Sequence, residues 1–438
     1  SECLVGSEMC IRDRVIICAI LLLVLLFLKV PVYIAVLSAS AVYFIGTPGM
    51  NLSIFAQKTI SGAEGLSLLA IPFFVCAGIF MNYTGVTKRI MNCCEVLTAR
   101  MPGGLAQVNI LLSTLMGGLS GSSLADAAMQ CKMLVPTMES KGYSKSFSTV
   151  ITAASGMVVP LIPPGVGLII YGCINNISIG KLFIAGIGPG IVLCVTLMIF
   201  THFLSKKRGY LPSRTTKIPV SEKIAAVRPA FLPLLLPIII IGGVRIGVFT
   251  ASEAGTVAIV YAVLLGLLYK ELTLKNVMQG CKETVTTTAS IMLIVAAATC
   301  FSWILTKEQI PQQFSQWMIS NIHNKYVFLI MVNIFLLIVG MFIEGNASMI
   351  VLAPLLHPVA MAYGIDDIHF AMVYIFNCTI GAFTPPMGTL MFVSCGITKC
   401  PTKDFIKEAV PFYILFAIDI IVLTYIPQLT TFLVNVFY

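Results

Sequence analysis

The chain has 438 residues, of which 58% are hydrophobic and only 10% are charged. A soluble domain carries roughly 25% charged residues, so this composition excludes a water-soluble protein and predicts a polytopic membrane protein. The net charge of +9 does not indicate nucleic-acid binding, because the basic residues lie in short loops between apolar runs.

In chain order, residues 1–14 do not match the apolar sequence that follows, and we interpret them as a non-native or disordered leader. An N-terminal helix is predicted at 15–29. A first repeat follows at 30–206, then a cytoplasmic loop and linker helix at 207–251, with the helix itself at 229–243. A second repeat occupies 252–428, and a C-terminal tail ends the chain at 429–438.

The division into repeats rests on helix-breaking residues that return after 222 positions (358 minus 136). The matched pairs are Pro136 and Pro358, Gly142 and Gly364, Pro163 and Pro385, and Pro164 and Pro386. Such an internal repeat is typical of secondary transporters. Each unit is expected to contain four spans and one hairpin, so the single linker helix would give the second copy an inverted topology.

Within each repeat, an apolar run is split by a polar, glycine-bearing stretch and then resumes. These runs predict two re-entrant hairpins, at about 104–140 and about 326–362. A broken helix is predicted after each hairpin, at about 146–175 and about 368–398, because each of these segments contains a double proline. The expected fold is therefore all-α.

Orientation follows from the basic residues. Most of the 27 Lys and Arg residues fall on one set of loops when the spans are traced in order. The basic side of a membrane protein is normally cytoplasmic, so both termini are predicted to be periplasmic.

The hairpin tips and the double prolines are the candidate functional elements. Proline removes amide donors and frees carbonyl oxygens, and nearby Ser, Thr and Asn oxygens add further hard ligands of the kind that sodium takes. Exposed amides at helix N-termini favour a substrate carboxylate. The helix breaks are Pro163, Pro164, Pro385 and Pro386.

Each tip is expected to form a sodium site with the break of its own repeat. The candidate sodium ligands are Ser120, Gly121, Ser122, Ser123, Ser155, Pro163 and Gly165 in the first repeat, and Gly345, Asn346, Ser348, Asn377, Thr384 and Gly388 in the second. Candidate substrate-binding residues are Ser122, Ser123, Asn346 and Thr384. We expect no organic cofactor and no metal other than sodium.

Other interpretations of these residues stay open. Small residues at the tips also permit tight helix packing, and prolines also set kinks. Two acidic residues lie near the tips, Asp126 and Glu344. Three roles are open for each: sodium ligand, proton carrier or helix cap. Capping is favoured for Asp126 because Asp suits the first turn of a helix. A remote alternative is an intramembrane serine protease, with Ser120 in a Gly-x-Ser-Gly pattern and His357 as base. A passive channel is a further rival.

The tip and break motifs resemble those of one family. The segments GGLSGSSLADAAMQCKMLVPTMESKGYSKSFSTVITAASGMVVPLIPPGVGLIIYG and FIEGNASMIVLAPLLHPVAMAYGIDDIHFAMVYIFNCTIGAFTPPMGTLMFVSCGI are similar to the large permease subunit of TRAP transporters, the tripartite ATP-independent periplasmic systems. The likeness extends over nearly the whole chain from about residue 15.

This resemblance implies a function. It implies an elevator-type secondary transporter of the bacterial inner membrane, not an enzyme. The cargo would be an organic acid such as a C4-dicarboxylate or sialic acid, delivered by a periplasmic binding protein and imported with sodium. A small four-helix membrane subunit would be the other partner, separate or fused. The alternative is a sodium- or proton-coupled carboxylate transporter that works without a binding protein.

Overall fold

The computed structural model describes residues 17–26, 28, 30–47, 50–214, 216 and 218–438. Across these ranges the chain is helical and forms no β-strand, which confirms the predicted all-α fold. The predicted leader at 1–14 lies outside the described residues. The predicted N-terminal helix at 15–29 corresponds to α1, Ile17–Leu26.

The helices of the first half follow one another with short connections. They are α2 Val32–Gly46, α3 Leu52–Ser61, α4 Ala70–Asn82, α5 Val86–Thr98, α6 Gly104–Ser120, α7 Ser123–Ser140, α8 Lys145–Gly156, α9 Val166–Asn175 and α10 Ile179–Lys207. A short 3-10 helix, Leu66–Leu69, precedes α4.

The second half begins with a long helix that links the two units. Its helices are α11 Val220–Arg245, α12 Ala251–Leu268, α13 Leu274–Lys307, α14 Ile310–Asn321, α15 Lys325–Phe342, α16 Gly345–Ala362, α17 Asp367–Phe383, α18 Thr389–Thr398, α19 Thr402–Tyr425 and α20 Gln428–Phe437.

Helix boundaries recur at the 222-residue shift. Helix α6 ends at Ser120 and α15 at Phe342, while α7 begins at Ser123 and α16 at Gly345. The positions recur although the residues differ, since Gly121 and Ser122 separate the first pair of helices and Ile343 and Glu344 separate the second. The division into two units with inverted topology stays a prediction, since it depends on how the helices cross a membrane.

Both double prolines lie between helices. Helix α8 stops at Gly156 and α9 begins at Val166, so residues 157–165, here named break 1, are not α-helical. Helix α17 stops at Phe383 and α18 begins at Thr389, which leaves residues 384–388 as break 2. A proline cannot donate to the preceding turn, and two in succession end the helical hydrogen-bonding ladder.

The link between the halves is more helical than predicted. Helix α11 starts at Val220, well before the predicted 229, and keeps three prolines inside it. The missing N–H of Pro233 frees the carbonyl oxygen of Pro229, and the hydroxyl of Tyr269 donates to that oxygen at 3.3 Å. Neighbouring helices therefore compensate for prolines that, in sequence, indicate a loop.

The C-terminal segment is also helical. Helix α20 covers Gln428–Phe437, where the sequence predicts a tail. It packs against α10, and a β-carbon placed on Gly180 of α10 would lie 2.7 Å from the Tyr438 hydroxyl. The guanidinium Nε of Arg245 donates to the carbonyl oxygen of Phe437 at 3.0 Å, which attaches this helix to the end of α11.

Several helices have the length and composition of membrane spans. In the described part of the chain six helices qualify, or eight if two bent pairs each count as one span. The arms of the second predicted hairpin, α15 and α16, pass this test separately. Whether they cross the membrane or turn back within it depends on the bilayer, so the re-entrant hairpins stay a prediction.

Helices α8 and α17 form the centre of the molecule. Residues 147–156 of α8 and 368–381 of α17 are all buried. Helices α6, α7, α15 and α16 pack around these two helices. The polar side chains that the central helices carry are consequently held in the protein interior, next to the breaks.

Candidate transport site

A cavity of about 460 Å³ lies where the two halves of the chain meet. It reaches the turn between α6 and α7, here named tip 1 (residues 120–123), and the turn between α15 and α16, named tip 2 (residues 344–346). Ligand pockets typically measure about 300–1,000 Å³, so this cavity can hold a small organic molecule. The tertiary structure thus brings together two turns that are more than two hundred residues apart in sequence.

Tip 1 is held against break 1. The carbonyl oxygen of Gly121 accepts a hydrogen bond from the amide of Val166 at 3.4 Å. Gly121 has a positive φ of 61°, and a β-carbon there would lie 2.7 Å from the carbonyl oxygen of Pro164. Glycine is therefore required at this position, both for its conformation and for the close approach.

Tip 2 contacts the helix before its break rather than the break itself. A β-carbon on Gly345 would lie 3.5 Å from Cβ of Cys378 in α17. In addition, the Ser348 hydroxyl lies 3.3 Å from the Tyr374 hydroxyl of the same helix. The two tips are consequently positioned differently, although their sequences occupy matched places.

The first turn of each distal helix is capped by a side chain at matched positions. In α7, Ser122 Oγ accepts from the amide of Ala125 at 3.4 Å. In α16, the carboxylate of Glu344 accepts from the amide of Ala347 at 3.3 Å. Of the three roles open for Glu344, the structure therefore shows the cap.

Asp126 does not cap α7, which corrects the favoured interpretation of this residue. Its Oδ2 accepts from Ser113 Oγ at 2.7 Å and from Gln130 Nε2 at 2.8 Å. The side chain is buried between the two arms of the hairpin, and Ser122 provides the cap instead. Its hydrogen-bond partners are thus side chains of the hairpin itself.

The predicted site residues divide into two groups. Those that line the cavity are Ser120, Gly121, Ser122, Ser123, Gly345 and Asn346. Those that lie behind it are Ser155, Pro163, Gly165, Ser348, Asn377, Thr384 and Gly388, which are absent from its lining. Of the predicted site residues, those of the tips therefore face the cavity, whereas the central helix α17 reaches it through other side chains, such as Cys378 and Thr379.

Thr384 and Gly388 are in close backbone contact within break 2. The hydroxyl of Thr384 donates to the carbonyl oxygen of Ile380 at 2.8 Å. A β-carbon on Gly388 would lie 2.7 Å from the carbonyl oxygen of Thr384. Thr384 was a candidate for substrate binding, but Thr389, at the start of α18, lines the cavity in its place.

Two of the thirteen predicted sodium ligands have a buried side-chain oxygen without a hydrogen-bond partner among the described residues. They are Ser120 Oγ at tip 1 and Asn377 Oδ1 in α17. The amide nitrogen of Asn377 donates to Asn333 Oδ1 and to the carbonyl oxygen of Val373, both at 2.8 Å. These two bonds fix the side-chain amide so that Oδ1 is the group left over.

Sequence reasoning missed one wall of the cavity. Helix α13 contributes Thr286, Thr287 and Ser290, and α4 contributes Asn82. Helix α13 looks like an ordinary span in sequence, and its hydroxyl-bearing residues resemble those that hydrogen-bond within their own helix. The available signal was their spacing, because positions 286, 287 and 290 share one helix face.

The structure does not bring Ser120 and His357 together as the catalytic pair that a serine protease would need. His357 Nδ1 lies 3.3 Å from the hydroxyl of Tyr171, and its ring packs against those of Tyr171 and Phe370. Ser120, by contrast, lines the cavity from which His357 is absent. The histidine is an interior residue with an aromatic environment.

Comparison with known proteins identifies the family. The model of the tripartite ATP-independent periplasmic transporter, DctM component, matches residues 19–429. The chain belongs to this family. It is thus the large permease component of a TRAP transporter, a multi-pass membrane transport protein and not an enzyme, as the sequence motifs predict.

Relatives of this permease have named cargoes. It is 39% identical to the sialic acid TRAP transporter large permease protein SiaM of Vibrio cholerae, over 94% of this chain and 96% of that one. It is 36% identical to the C4-dicarboxylate TRAP transporter large permease protein DctM of Pseudomonas aeruginosa, over 87% of this chain and 89% of that one.

Two further comparisons concern architecture. The sialic acid TRAP transporter permease protein SiaT of Haemophilus influenzae is 35% identical over 97% of this permease, which covers 68% of that protein. The crystal structure of the YdaH transporter of Alcanivorax borkumensis superposes with a TM-score of 0.59 at 13% identity, covering 94% of this chain and 98% of that one. The second likeness shows a shared transporter fold.

Proposed function

We propose that this permease imports an organic acid together with sodium ions, and that a periplasmic binding protein delivers the acid. The family and the named cargoes of its relatives support a carboxylate substrate. The family is described as tripartite and periplasmic, which supports a binding protein and a small membrane subunit as the other two components. The bacterial inner membrane is the expected location.

The observation that carries the sodium assignment is the pair of unpartnered buried oxygens, Ser120 Oγ and Asn377 Oδ1. A buried polar atom without a partner costs roughly 1–3 kcal/mol. A bound cation removes that cost, and hydroxyl and amide oxygens are hard ligands suited to sodium. Ser120 belongs to the first half of the chain and Asn377 to the second, which supports two separate cation sites.

Neighbouring groups complete each proposed site. For the first site we assign Ser122 and Ser123 of tip 1, Pro163 and the buried Gly165 of break 1, and the buried Ser155 of α8. At tip 2, the corresponding residues are Gly345, Asn346, Ser348 and, at the break, Thr384 and Gly388. The substrate would lie in the cavity between the tips, against Ser122, Ser123 and Asn346.

Sodium binding can be tested without knowing the substrate. The purified chain is unfolded thermally in sodium, potassium and choline chloride at equal ionic strength. A ligand that binds only the folded state stabilises it by RT ln(1 + [L]/Kd), about 2.7 kcal/mol at a hundredfold excess over Kd. We expect a rise in melting temperature specific to sodium.

Variants locate the effect. Ser120→Ala and Asn377→Ala should each reduce the sodium-specific rise, whereas Ser140→Ala should preserve it. Ser140 is exposed at the end of α7 and bonds only to the carbonyl oxygen of Thr137, so it is a matched control in the same hairpin. Identical melting curves in all three salts would contradict sodium coupling at these positions.

A further inference from the structure

The two walls of the cavity differ in chemistry. One wall contains the tips together with residues of α9 and α17, and the other contains α4 and α13. On α4 the lining residues Val75, Gly78 and Ile79 are apolar or small, and only Asn82 is polar. On α13, three of the five lining residues carry hydroxyl groups: Thr286, Thr287 and Ser290.

The hydroxyl groups of α13 form one continuous patch. Positions 286, 287, 290, 291 and 294 lie on one face of an α-helix, and all five line the cavity. The first three carry hydroxyls and the last two are isoleucines. Thr286, Thr287 and Ser290 are exposed rather than packed against another helix. The patch is therefore accessible to a molecule inside the cavity.

Two of these hydroxyls act as acceptors toward the cavity. Thr286 Oγ1 donates its hydrogen to the carbonyl oxygen of Lys282 at 2.9 Å, and Ser290 Oγ donates to that of Thr286 at 3.0 Å. A hydroxyl oxygen keeps its lone pairs when its hydrogen is engaged in this way. Such a surface accepts hydrogen bonds, so it favours ligand groups that donate them.

The charges around the cavity support the same preference for groups that donate hydrogen bonds. Among the described lining residues none is Lys, Arg or His, and Glu344 is the single charged one. Its carboxylate already accepts from Asn346 Nδ2 at 2.8 Å and from the amide of Ala347. A carboxylate placed against α13 would meet oxygen lone pairs and no cationic side chain, which is unfavourable.

We propose that Thr286, Thr287 and Ser290 bind hydroxyl groups of the cargo, so that this permease prefers a polyhydroxylated monocarboxylate to an unsubstituted mono- or dicarboxylate. This inference rests on the proposed function, in which the cavity binds an organic acid. The carboxylate belongs at the sodium-binding side of the cavity, and the hydroxylated remainder of the molecule lies along α13. Thr286, Thr287 and Ser290 are thus specificity-determining residues.

Three six-carbon acids separate these possibilities. D-gluconate carries one carboxylate and five hydroxyls, hexanoate carries one carboxylate alone, and adipate carries two carboxylates. Each is titrated into the purified full-length chain in sodium chloride, and the apparent Kd is obtained from the rise in melting temperature. A site built to hydrogen-bond hydroxyls rejects analogues that lack them, so gluconate should bind at least about tenfold more tightly than either of the others.

Matched variants attribute the preference to the patch. The triple variant Thr286→Val, Thr287→Val, Ser290→Ala removes the hydroxyls with little change in volume and should abolish the preference for gluconate. Thr284→Val is the control, because Thr284 lies on the same helix, bonds to the carbonyl oxygen of Gly280 at 2.7 Å and does not line the cavity. It should keep the preference.

The outcomes distinguish this inference from the proposed function. If the unsubstituted chain, with no acid present, shows no sodium-specific rise in melting temperature, the result would count against sodium coupling. With that rise intact, the inference is overturned if adipate or hexanoate binds as tightly as gluconate, if gluconate does not stabilise the chain, or if the triple variant keeps the preference.

Discussion

At the scale of single residues, matched positions in the two halves carry different chemistry. The N-cap of α7 is Ser122 and that of α16 is Glu344, which are 222 residues apart. Both accept a hydrogen bond from the amide three residues later, so each provides a partner for one of the unpaired amides at the start of its helix. One tip is thereby neutral and the other carries a carboxylate, which makes the two ends of the cavity unequal.

Gly121 is the residue for which the structure predicts a large effect of a single methyl group. Gly121→Ala would place a side chain at positive φ, which costs roughly 1–2 kcal/mol, and would press its β-carbon onto Pro164. We expect a lower melting temperature and a weaker sodium-specific rise, because tip 1 and break 1 are forced apart. Thermal unfolding in sodium and choline chloride measures both.

Gly142→Ala is the control for that experiment. Gly142 also has a positive φ, of 86°, but no atom of the described residues lies within 4 Å of a β-carbon placed there. It should therefore show the backbone cost without the loss of sodium response. Equal effects of the two substitutions would mean that the contact between tip 1 and break 1 does not matter for binding.

At the scale of helices, the second half depends on a close crossing of α15 and α17. A β-carbon on Gly381 would lie 2.6 Å from Cα of Gly340, so the two backbones are nearly in contact. The bond between Asn333 of α15 and Asn377 of α17 spans the same pair of helices. Small residues that allow such an approach are typical of helix packing in membranes.

Gly381→Ala should separate these helices. Overpacking of a tight contact typically costs about 1–3 kcal/mol, and the Asn333–Asn377 bond should weaken as the helices move apart. We expect a lower melting temperature and a higher sodium concentration for half-maximal stabilisation. The matched control is Gly396→Ala in α18, where nothing lies within 4 Å, and where alanine should be neutral or stabilise by up to about 1 kcal/mol. An unchanged sodium response in Gly381→Ala would show that the α15–α17 crossing does not affect the proposed sodium site at Asn377.

At the scale of the whole molecule, the cavity exists because each half of the chain contributes one tip. Neither half encloses it alone, since α4 comes from the first half and α13 from the second. If the halves have inverted topology, the same cavity can face either side of the membrane as the tips move, which is what alternating access requires.

The orientation of the chain provides the test of that arrangement. The distribution of basic residues predicts periplasmic termini and a cytoplasmic connection between α10 and α11. Alkaline phosphatase needs an oxidising compartment to form its disulfides, so it should be active when fused after Tyr438 and inactive when inserted after Ser213. Green fluorescent protein at the same positions should show the reverse pattern. Activity of both phosphatase fusions, or of the Ser213 insertion alone, would contradict the predicted topology.

The sequence by itself determined the membrane class, the all-α fold and the places where helices end. These properties are largely local, since composition sets the solvent that a segment tolerates, Pro163 and Pro385 lie in the breaks, and Gly142 and Gly364 follow helix ends. The predicted breakers Pro136 and Pro358, by contrast, lie inside α7 and α16. The tips were also predictable, because a polar stretch such as 117–126 cannot continue an apolar helix. Family motifs around these breaks then indicated the transport function.

Only the tertiary structure decided which polar groups face the cavity and which are satisfied elsewhere. Asp126 accepts from Ser113 of α6 and from Gln130 of its own helix. In α11, the carbonyl oxygen freed by Pro233 accepts a hydrogen bond from the hydroxyl of Tyr269, which follows α12. The hydroxyl face of α13 belongs to the site because the fold places it at the same cavity as the tips. These outcomes depend on contacts between segments far apart in the chain, and local propensity and spacing do not encode such contacts.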